Sequence, residues 1–160
     1  GALRGNDLGG DGVAENVNAI FSPTGMGIRN DLGGQGHYGA SRDGGKREHT
    51  GLDFRTNAGQ NINSLIHGKA RNLIGVSTQK PLVQIIPNPN SLGIGEIQIL
   101  YVNKLHGVKN TQWYTLKAAT ILGKAADLSK WYPESVTDHV HTKFYNSNGN
   151  LVNPQSFFNR

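Results

Sequence analysis

Cysteine is absent from this chain of 160 residues, which excludes both disulfide bridges and thiolate metal sites. Any bound metal must therefore be held by nitrogen and oxygen ligands. Charged residues are also scarce, at 17% of the sequence. There is no uninterrupted apolar run of about 18 residues, so no membrane span is expected.

Glycine is abundant instead, with 22 residues. It destabilises helices and supplies the positive φ angles of tight turns, so this composition favours a turn-rich β protein over a helical bundle. The length predicts one domain with a real core. We expect residues 1–21 to form a linker or lead-in and residues 22–160 to form the domain, and we expect the glycine-dense stretch 22–48 to be a set of loops.

From residue 52 onward, short apolar and β-branched runs alternate with turn signals. Ile97, Ile99 and Tyr101 alternate with Gln98 and Leu100, which gives the period of two that is typical of a strand. Asn148-Gly149 is a signal for a two-residue hairpin turn. No amphipathic helix of ordinary length stands out. The predicted fold is mostly β, with sheets packed together or partly rolled up, and the predicted strands are 52–55, 62–66, 73–76, 82–86, 94–102, 112–116, 120–122 and 136–145.

The net charge is +5 and the isoelectric point is about 9.6. A basic protein is attracted to anionic polymers such as nucleic acid, acidic membranes or cell wall. The basic residues form no stripe with interleaved aromatics, so we expect no nucleic-acid partner. Arg42, Lys46 and Arg47 cluster just before His49, where a solvated loop and a substrate-facing patch are both open interpretations.

Two separate motifs, His49-Thr-Gly-Leu-Asp53 and His139-Val-His141, offer three imidazoles and one carboxylate. Alternate residues of a strand share a face, so His139 and His141 point the same way while Val140 points to the core. Two histidines and one aspartate around zinc would leave a fourth position for water, as in catalytic sites. If the motifs meet in space, the sequence predicts a zinc site.

Incidental histidines are the alternative, because short motifs of this kind also arise by chance. A lone histidine in a β protein is more often a surface or hydrogen-bonded residue than a metal ligand. We interpret His37, His67 and His106 in that way. For the two motifs, the surrounding sequence decides between a metal site and incidental histidines.

That surrounding sequence resembles the lysostaphin-type zinc endopeptidases of bacterial cell-wall turnover and phage lysis. The similarity runs from about residue 22 to the end of the chain. Five segments carry it in order: Gly36-His-Tyr-Gly-Ala-Ser-Arg42, Arg47-Glu-His-Thr-Gly-Leu-Asp-Phe54, Leu116-Lys-Ala-Ala-Thr-Ile-Leu-Gly123, Asp138-His-Val-His141, and Asn148-Gly-Asn-Leu-Val-Asn-Pro154 with Phe157-Phe158.

The resemblance implies an antiparallel β-sheet platform with a groove roofed by long loops. It implies one zinc ion with His49, Asp53 and His141 as ligands. His139 would act as the general base or stabilise the transition state. The implied substrate is peptidoglycan, whose peptide bridges would be cut by a zinc-activated water. Arg42 and the aromatic pair Trp131 and Tyr132 are candidates for lining the groove, although packing is an equal alternative for the pair.

One segment departs from the family pattern. Active members usually carry another histidine in a Tyr-x-His-Leu segment, and the corresponding stretch here is Leu100-Tyr-Val-Asn-Lys-Leu105. Spacing predicts Asn103 at the position of that histidine. His106, three residues later, is the other catalytic candidate and would substitute only if the local register shifts. An asparagine can hydrogen-bond a developing oxyanion but cannot shuttle a proton at neutral pH.

The same departure resembles the animal leukocyte-derived chemotaxins, through Tyr132-Pro133 and the following His-Val-His. That branch keeps the zinc ligands but acts as a secreted signal rather than a peptidase, so a non-catalytic zinc domain that binds cell wall or a protein partner is the alternative function. Because that branch depends on disulfides, this cysteine-free chain is expected to be bacterial or phage-derived. No targeting signal opens the sequence; a secreted, periplasmic or phage-associated location is expected.

Overall fold

The computed structural model describes residues 20, 22–31, 34–42, 45 and 47–158. Short strands dominate these residues, joined by turns and by the 3₁₀ helices Leu128–Lys130 and Pro154–Phe157. The predicted mostly β class is confirmed. The strands are β1 (Asn30–Asp31), β2 (Gly34–Gln35), β3 (Ser41–Arg42), β4 (Arg47–Glu48), β5 (Leu52–Arg55), β6 (Asn61–Asn63), β7 (Gly68–Ile74), β8 (Pro81–Pro87), β9 (Ile94–Leu100), β10 (Val102–Lys104), β11 (Tyr114–Leu116), β12 (Ile121–Ala125), β13 (His139–Asn146) and β14 (Leu151–Val152).

The larger antiparallel sheet has the strand order β11-β7-β8-β9-β13-β14, with β5 also pairing β13. Strand β13 pairs β9 along one edge. Its other edge pairs β5 in its first half and β14 in its second half. The strand that carries the His-x-His motif is therefore held from both sides.

A smaller sheet with the order β10-β12-β6 contributes to the same core. The core forms because one face of each strand is apolar, for example at the fully buried Ile85, Ile97 and Ile99 of the larger sheet. Ile62 and Leu122 are buried from the smaller sheet. The two sheets thus enclose one apolar cluster, and the opposite face of the larger sheet carries polar side chains such as Gln84 and Gln98 beside the half-buried Leu82 and Leu100.

Tyr101 separates β9 from β10 and moves the chain from the larger sheet to the smaller one. Its φ of 72° lies in the left-handed region, which interrupts an extended strand. The prediction of one strand over 94–102 is therefore wrong at its end. Strand β7 also begins earlier than predicted, because its polar residues Lys69 and Arg71 alternate with buried neighbours and weaken the apolar signal.

The glycine-dense stretch contains the short pairs β1–β2 and β3–β4 rather than loops alone. Backbone bonds tie it to β5: Arg29 N–H donates to the Asp53 carbonyl and Asp53 N–H donates to the Gly36 carbonyl. Of the predicted lead-in, residues 1–19 and 21 lie outside the described residues. Ile20 is buried, and its N–H donates to the carbonyl of Phe157.

The hairpin predicted at Asn148-Gly149 joins β13 to β14, but its connection spans residues 147–150 rather than two residues. The Asn146 side chain explains the longer loop, since its Oδ1 accepts hydrogen bonds from the N–H groups of Asn148 and Asn150. Gly149 adopts a φ of 83°, as the turn requires. Among the described helices, none has the length and apolar character needed to cross a membrane.

Candidate metal centre

The pairing of β5 with β13 brings the two histidine motifs together. Asp53 lies directly opposite His141, and Arg55 lies opposite His139. Val140 and Thr142 point to the other face and are fully buried, as the period of two predicts. The hydroxyl of Thr142 donates to the Leu52 carbonyl, which satisfies it within the core.

Three donor atoms form a compact triangle at this crossing. His141 Nδ1 lies 2.7 Å from Asp53 Oδ1, His49 Nε2 lies 3.1 Å from the same oxygen, and the two imidazole nitrogens are 2.9 Å apart. All three residues are buried. They are the described residues whose ligand atoms could together hold a metal ion.

Tetrahedral zinc fits this triangle closely. Zinc–ligand bonds of about 2.0–2.1 Å place the ligand atoms about 3.3 Å from one another, so the sides of the triangle have to lengthen by about 0.2–0.6 Å. His49 is also oriented for a metal: its Nδ1–H donates to the His37 carbonyl at 2.9 Å, so Nε2 is the nitrogen that faces Asp53 and His141 and would serve as the ligand atom. The donor set of two imidazoles and one carboxylate is one that zinc accepts.

Gly51 makes the close approach of His141 possible. A Cβ at Gly51 would stand 2.8 Å from Cε1 and Nε2 of His141 and would overlap the carbonyl oxygen of Thr142. Only glycine lets β5 enter beside the imidazole at this point. The glycine of the first histidine motif therefore belongs to the site.

The Asp53 carboxylate is held ionised inside the protein. Burial alone would raise its pKa, but hydrogen bonds with His141 and His49 hold the pKa well below its ordinary value. Asp53 Oδ2 also forms a buried ion pair with Arg29 Nη1 at 3.1 Å, and Arg42 Nη2 lies 3.8 Å from the same oxygen. One carboxylate oxygen thus faces the imidazoles while the other faces guanidinium groups.

His139 lies on the same face as His141 but outside the triangle. Its Nδ1–H donates to the Thr137 carbonyl at 2.7 Å, which leaves Nε2 as a hydrogen-bond acceptor 3.5 Å from Asp53 Oδ2. Burial lowers the pKa of His139, against the opposing effect of Asp53. A neutral imidazole with an open Nε2 is suited to accept a proton.

Three aromatic residues lie on the far side of His139. The Tyr101 ring meets the His139 ring edge-on at 5.4 Å between centroids. The Tyr132 hydroxyl is 2.9 Å from that of Tyr101, and the Trp131 ring lies 6.4 Å from the Tyr101 ring. Lys80 Nζ donates to the Tyr132 hydroxyl at 2.8 Å. The aromatic pair named from the sequence is therefore adjacent to the site, and Lys80 and Tyr101 join it.

The Lys80 ammonium and burial act differently on the two phenols. Burial alone would raise the pKa of Tyr132, but the hydrogen bond from Lys80 brings it below its ordinary value. Burial, together with Tyr132, raises the pKa of Tyr101. Tyr132 is therefore the more acidic hydroxyl of the pair.

Asn103 and His106 do not join the described cluster. Both are exposed, and both line a separate surface cavity of about 340 Å³ with Lys104 and Lys130. The cause is the turn of the chain at Tyr101, after which Asn103 pairs with Lys124 of the smaller sheet. Tyr101, rather than Asn103, is the residue of that segment that contacts His139.

Of the predicted basic cluster, Arg42 lies beside Asp53, and its Nη2 also donates to the Gln35 carbonyl at 2.8 Å. Lys46 and the side chain of Arg47 lie outside what the structure describes. His37 and His67 take part in hydrogen bonds outside the triangle. The carbonyl of His37 accepts from His49 Nδ1–H, and buried His67 accepts at Nδ1 from the N–H of Ala118.

Arg29, Lys80 and Tyr101 were not singled out from the sequence. Arg29 stands in the glycine-dense stretch and Lys80 precedes Pro81 at the start of a strand, without a motif around either. Tyr101 lies in the segment that departs from the family pattern, where spacing points to Asn103 instead. The positive φ that brings Tyr101 to His139 has no sequence signal in a residue other than glycine or asparagine.

Comparison with solved structures identifies the fold. The chain superimposes on the antimicrobial peptidase lysostaphin from Staphylococcus simulans with a TM-score of 0.59 and 20% identity, covering 88% of this chain and 54% of lysostaphin. It matches the catalytic domain of the prophage-encoded M23 protein EnpA from Enterococcus faecalis with a TM-score of 0.55 and 19% identity, covering 86% and 95%. A zinc-containing peptidase from Vibrio cholerae matches with a TM-score of 0.51 and 19% identity, covering 86% and 40%.

These likenesses confirm the lysostaphin-type fold expected from the sequence. The chain spans about half of the full-length lysostaphin chain and nearly all of the isolated catalytic domain of EnpA. No family model matches the sequence, and no curated protein matches it.

Proposed function

We propose that this chain, which has the fold of lysostaphin-type M23 peptidases, is a zinc-dependent endopeptidase that cleaves the peptide crosslinks of bacterial peptidoglycan. The observation that carries the proposal is the triangle of His49, Asp53 and His141 on this fold, with His139 beside it on the same strand face. Lysostaphin is an antimicrobial peptidase, and the Vibrio cholerae neighbour is a zinc-containing peptidase. The peptidoglycan substrate rests on the resemblance of the sequence motifs.

In this proposal His49, Asp53 and His141 would hold one zinc ion. When bound, the ion would supply Lewis-acid chemistry and would lower the pKa of a coordinated water to about 7. His139 accepts the proton of the attacking water at Nε2, because its Nδ1–H is committed to Thr137. The protonated imidazole then returns that proton to the departing amine of the peptide.

The residues around the ligands organise this chemistry. Arg29 holds Asp53 through Oδ2, so Oδ1 stays directed at the two imidazoles. Such a partner behind a metal ligand fixes its orientation. Trp131 and Tyr132 flank Tyr101 beyond His139 and are proposed to line the substrate path together with Arg42, which lies 3.8 Å from Asp53.

The proposal is tested with purified protein carrying one equivalent of zinc. It is incubated with cell-wall sacculi of two kinds, one with glycyl bridges and one with direct bonds to a diamino acid. New amino termini are identified by mass spectrometry. Cleavage should disappear with a chelator and in His141→Ala, and should persist in Lys143→Ala, a change on the same strand two residues beyond the ligand.

A non-catalytic zinc domain that binds cell wall or a protein partner is the second candidate. The observation that favours it is the residue beside His139, a tyrosine rather than a second histidine. Zinc binding with retention on sacculi, but with no new amino termini from either wall type, would support this candidate over the peptidase. Much less than one zinc per chain after reconstitution would contradict both.

A further inference from the structure

Tyr101 packs against His139 in a strained backbone conformation. Its φ of 72° is rare for a bulky residue, and its side chain is buried. Two backbone bonds keep it there: its N–H donates to the Pro81 carbonyl at 2.7 Å, and its carbonyl accepts from the N–H of Ala126 at 2.9 Å. Strain of this kind persists where the surroundings impose it, and it is concentrated at functional sites.

A chain of hydrogen bonds starts at Lys80 and ends at the Tyr101 hydroxyl. The ammonium of Lys80 can only donate, so the Tyr132 oxygen accepts from it at 2.8 Å. Tyr132 thereby becomes the stronger donor of the two phenols, which are 2.9 Å apart. We orient the pair with Tyr132 donating to Tyr101, and this orientation frees the Tyr101 proton for another acceptor.

The Tyr101 ring packs against His139, which shares a strand face with the ligand candidate His141. After the larger effects of burial and of Tyr132, the Asp53 carboxylate raises the pKa of Tyr101 and the Arg29 guanidinium lowers it. The ring of Tyr101 is perpendicular to that of His139, with an angle of 87° between the planes. The Tyr101 ring is thus in edge contact with the proposed base, and the charge of Asp53 contributes to the pKa of its hydroxyl.

We propose that the Tyr101 hydroxyl donates a hydrogen bond to a tetrahedral oxyanion at the His49–Asp53–His141 centre, with Lys80 and Tyr132 as positioning residues. The inference deepens the proposed function and takes its chemical meaning from it. When water adds to a peptide carbonyl, negative charge develops on the carbonyl oxygen. A fixed donor stabilises that charge more than it stabilises the neutral substrate.

This assignment gives the oxyanion role to Tyr101 in place of Asn103. Phenol, like the asparagine amide, donates without carrying a net charge at neutral pH. Unlike Asn103, Tyr101 is in ring contact with His139. The ligand class is an oxyanion with tetrahedral geometry, whether a reaction intermediate or a stable analogue.

Inorganic phosphate is the probe, because it is a stable tetrahedral oxyanion that requires no turnover. The zinc-loaded protein is titrated with phosphate by calorimetry as wild type, Tyr101→Phe, Lys80→Met and Tyr114→Phe. Tyr114→Phe is the matched control, since its hydroxyl pairs with Asn72 Oδ1 at 3.4 Å within the larger sheet. Zinc content and thermal unfolding are measured for every variant.

Tyr101→Phe is expected to weaken phosphate binding about tenfold or more, the size of a hydrogen bond to a charged acceptor. Lys80→Met should weaken it about threefold, because it removes the first donor of the chain but not the phenol. Tyr114→Phe should bind phosphate as the wild type does. All four proteins should carry one zinc.

Equal phosphate affinity in Tyr101→Phe and wild type, at equal zinc content, would overturn the proposal, and so would a wild type that binds no phosphate. If Tyr101→Phe does not fold, Lys80→Met decides, and an unchanged affinity in that variant rejects the donor chain. The peptidase proposal fails separately. If phosphate binding depends on Tyr101 but no cleavage occurs, only the peptidase proposal is rejected. If cleavage occurs but phosphate binding does not depend on Tyr101, only the role of Tyr101 as donor is rejected.

Discussion

Asp53 and His141 are direct partners across two antiparallel strands, although 88 positions separate them in the sequence. Their side chains meet at 2.7 Å between Oδ1 and Nδ1. The centre therefore depends on the register of β5 against β13 rather than on a flexible loop. A slip of one residue in either strand would turn that strand's ligand to the opposite face of the sheet.

Arg29→Met should destabilise the metal-free protein more than the zinc-bound protein. Without zinc, the change removes the nearer guanidinium group from the buried Asp53 carboxylate and leaves that of Arg42 at 3.8 Å, so we expect a loss of about 3 kcal/mol. With zinc, the metal charge compensates the carboxylate. Denaturant unfolding of both forms measures the difference.

Arg71→Met is the matched control for this change. Arg71 is half-buried and bonds Gln84 through Nε at 2.7 Å, outside the metal centre. Its replacement should affect both forms equally. An equal loss of stability with and without zinc in Arg29→Met would contradict the role given to the ion pair.

His139→Gln should keep the zinc and lose turnover. The residue lies outside the ligand triangle, so metal analysis should still find one zinc per chain. Loss of a general base lowers kcat by about 10²–10⁴-fold, with KM little changed. Release of zinc in this variant would instead identify His139 as a fourth ligand and the site as closed.

Gly51→Ala should weaken zinc binding and lower stability by about 1–3 kcal/mol, the usual range for forcing extra atoms into a packed site. The added methyl group meets the His141 ring and the Thr142 carbonyl and forces β5 away from β13. Gly27→Ala is the control, because a Cβ there meets only the end of the Arg55 side chain, at 3.2 Å. Zinc titration and thermal unfolding would show whether the two variants differ; similar behaviour would argue against a special role for Gly51.

The variant Asn103→His tests two opposite expectations for turnover, one based on family spacing and one based on the structure. Spacing predicts that the new histidine restores a missing catalytic group and raises turnover. The structure predicts no gain, because Asn103 is exposed and pairs with Lys124 in the smaller sheet. Cleavage rates of wild type and variant at equal zinc content decide; a severalfold gain would favour the family position over the one observed.

The metal-free protein should lose stability as the pH falls below about 6.5. Burial lowers the pKa of His139 and His141 in the folded state from an ordinary value of 6.5. The unfolded chain then binds more protons than the folded one in mildly acidic solution, so the free energy of unfolding decreases with falling pH. Chemical unfolding between pH 7.5 and pH 5.5, values chosen to bracket about 6.5, measures this. A flat profile would contradict the burial of neutral imidazoles.

Much of the fold was accessible from the sequence. The period of two in β9 and β13 predicted the buried Ile97 and Ile99 and the inward Val140. It also predicted that His139 and His141 share a face. These inferences succeed because they depend on local geometry, which neighbouring residues determine.

Long-range relationships were not accessible in the same way. The pairing of Asp53 with His141 was only inferred through family resemblance, since register between distant strands leaves no local pattern. The end of strand β9 before Tyr101 could not be predicted, because tyrosine is not a residue type that indicates a positive φ. Contacts of Arg29 and Lys80 with the centre arise from separate segments that only the folded chain brings together.

Strand β13 is hydrogen-bonded along both edges around His141, to β5 and to β9. Amides in such a position open only with large-scale unfolding, so they should be among the slowest to exchange with solvent. The ligands therefore do not have to be gathered when a metal arrives. For the proposed zinc site we therefore expect metal capture to require loss of water and of the imidazole proton but no refolding, so that an apoprotein stored without metal gains zinc directly on mixing.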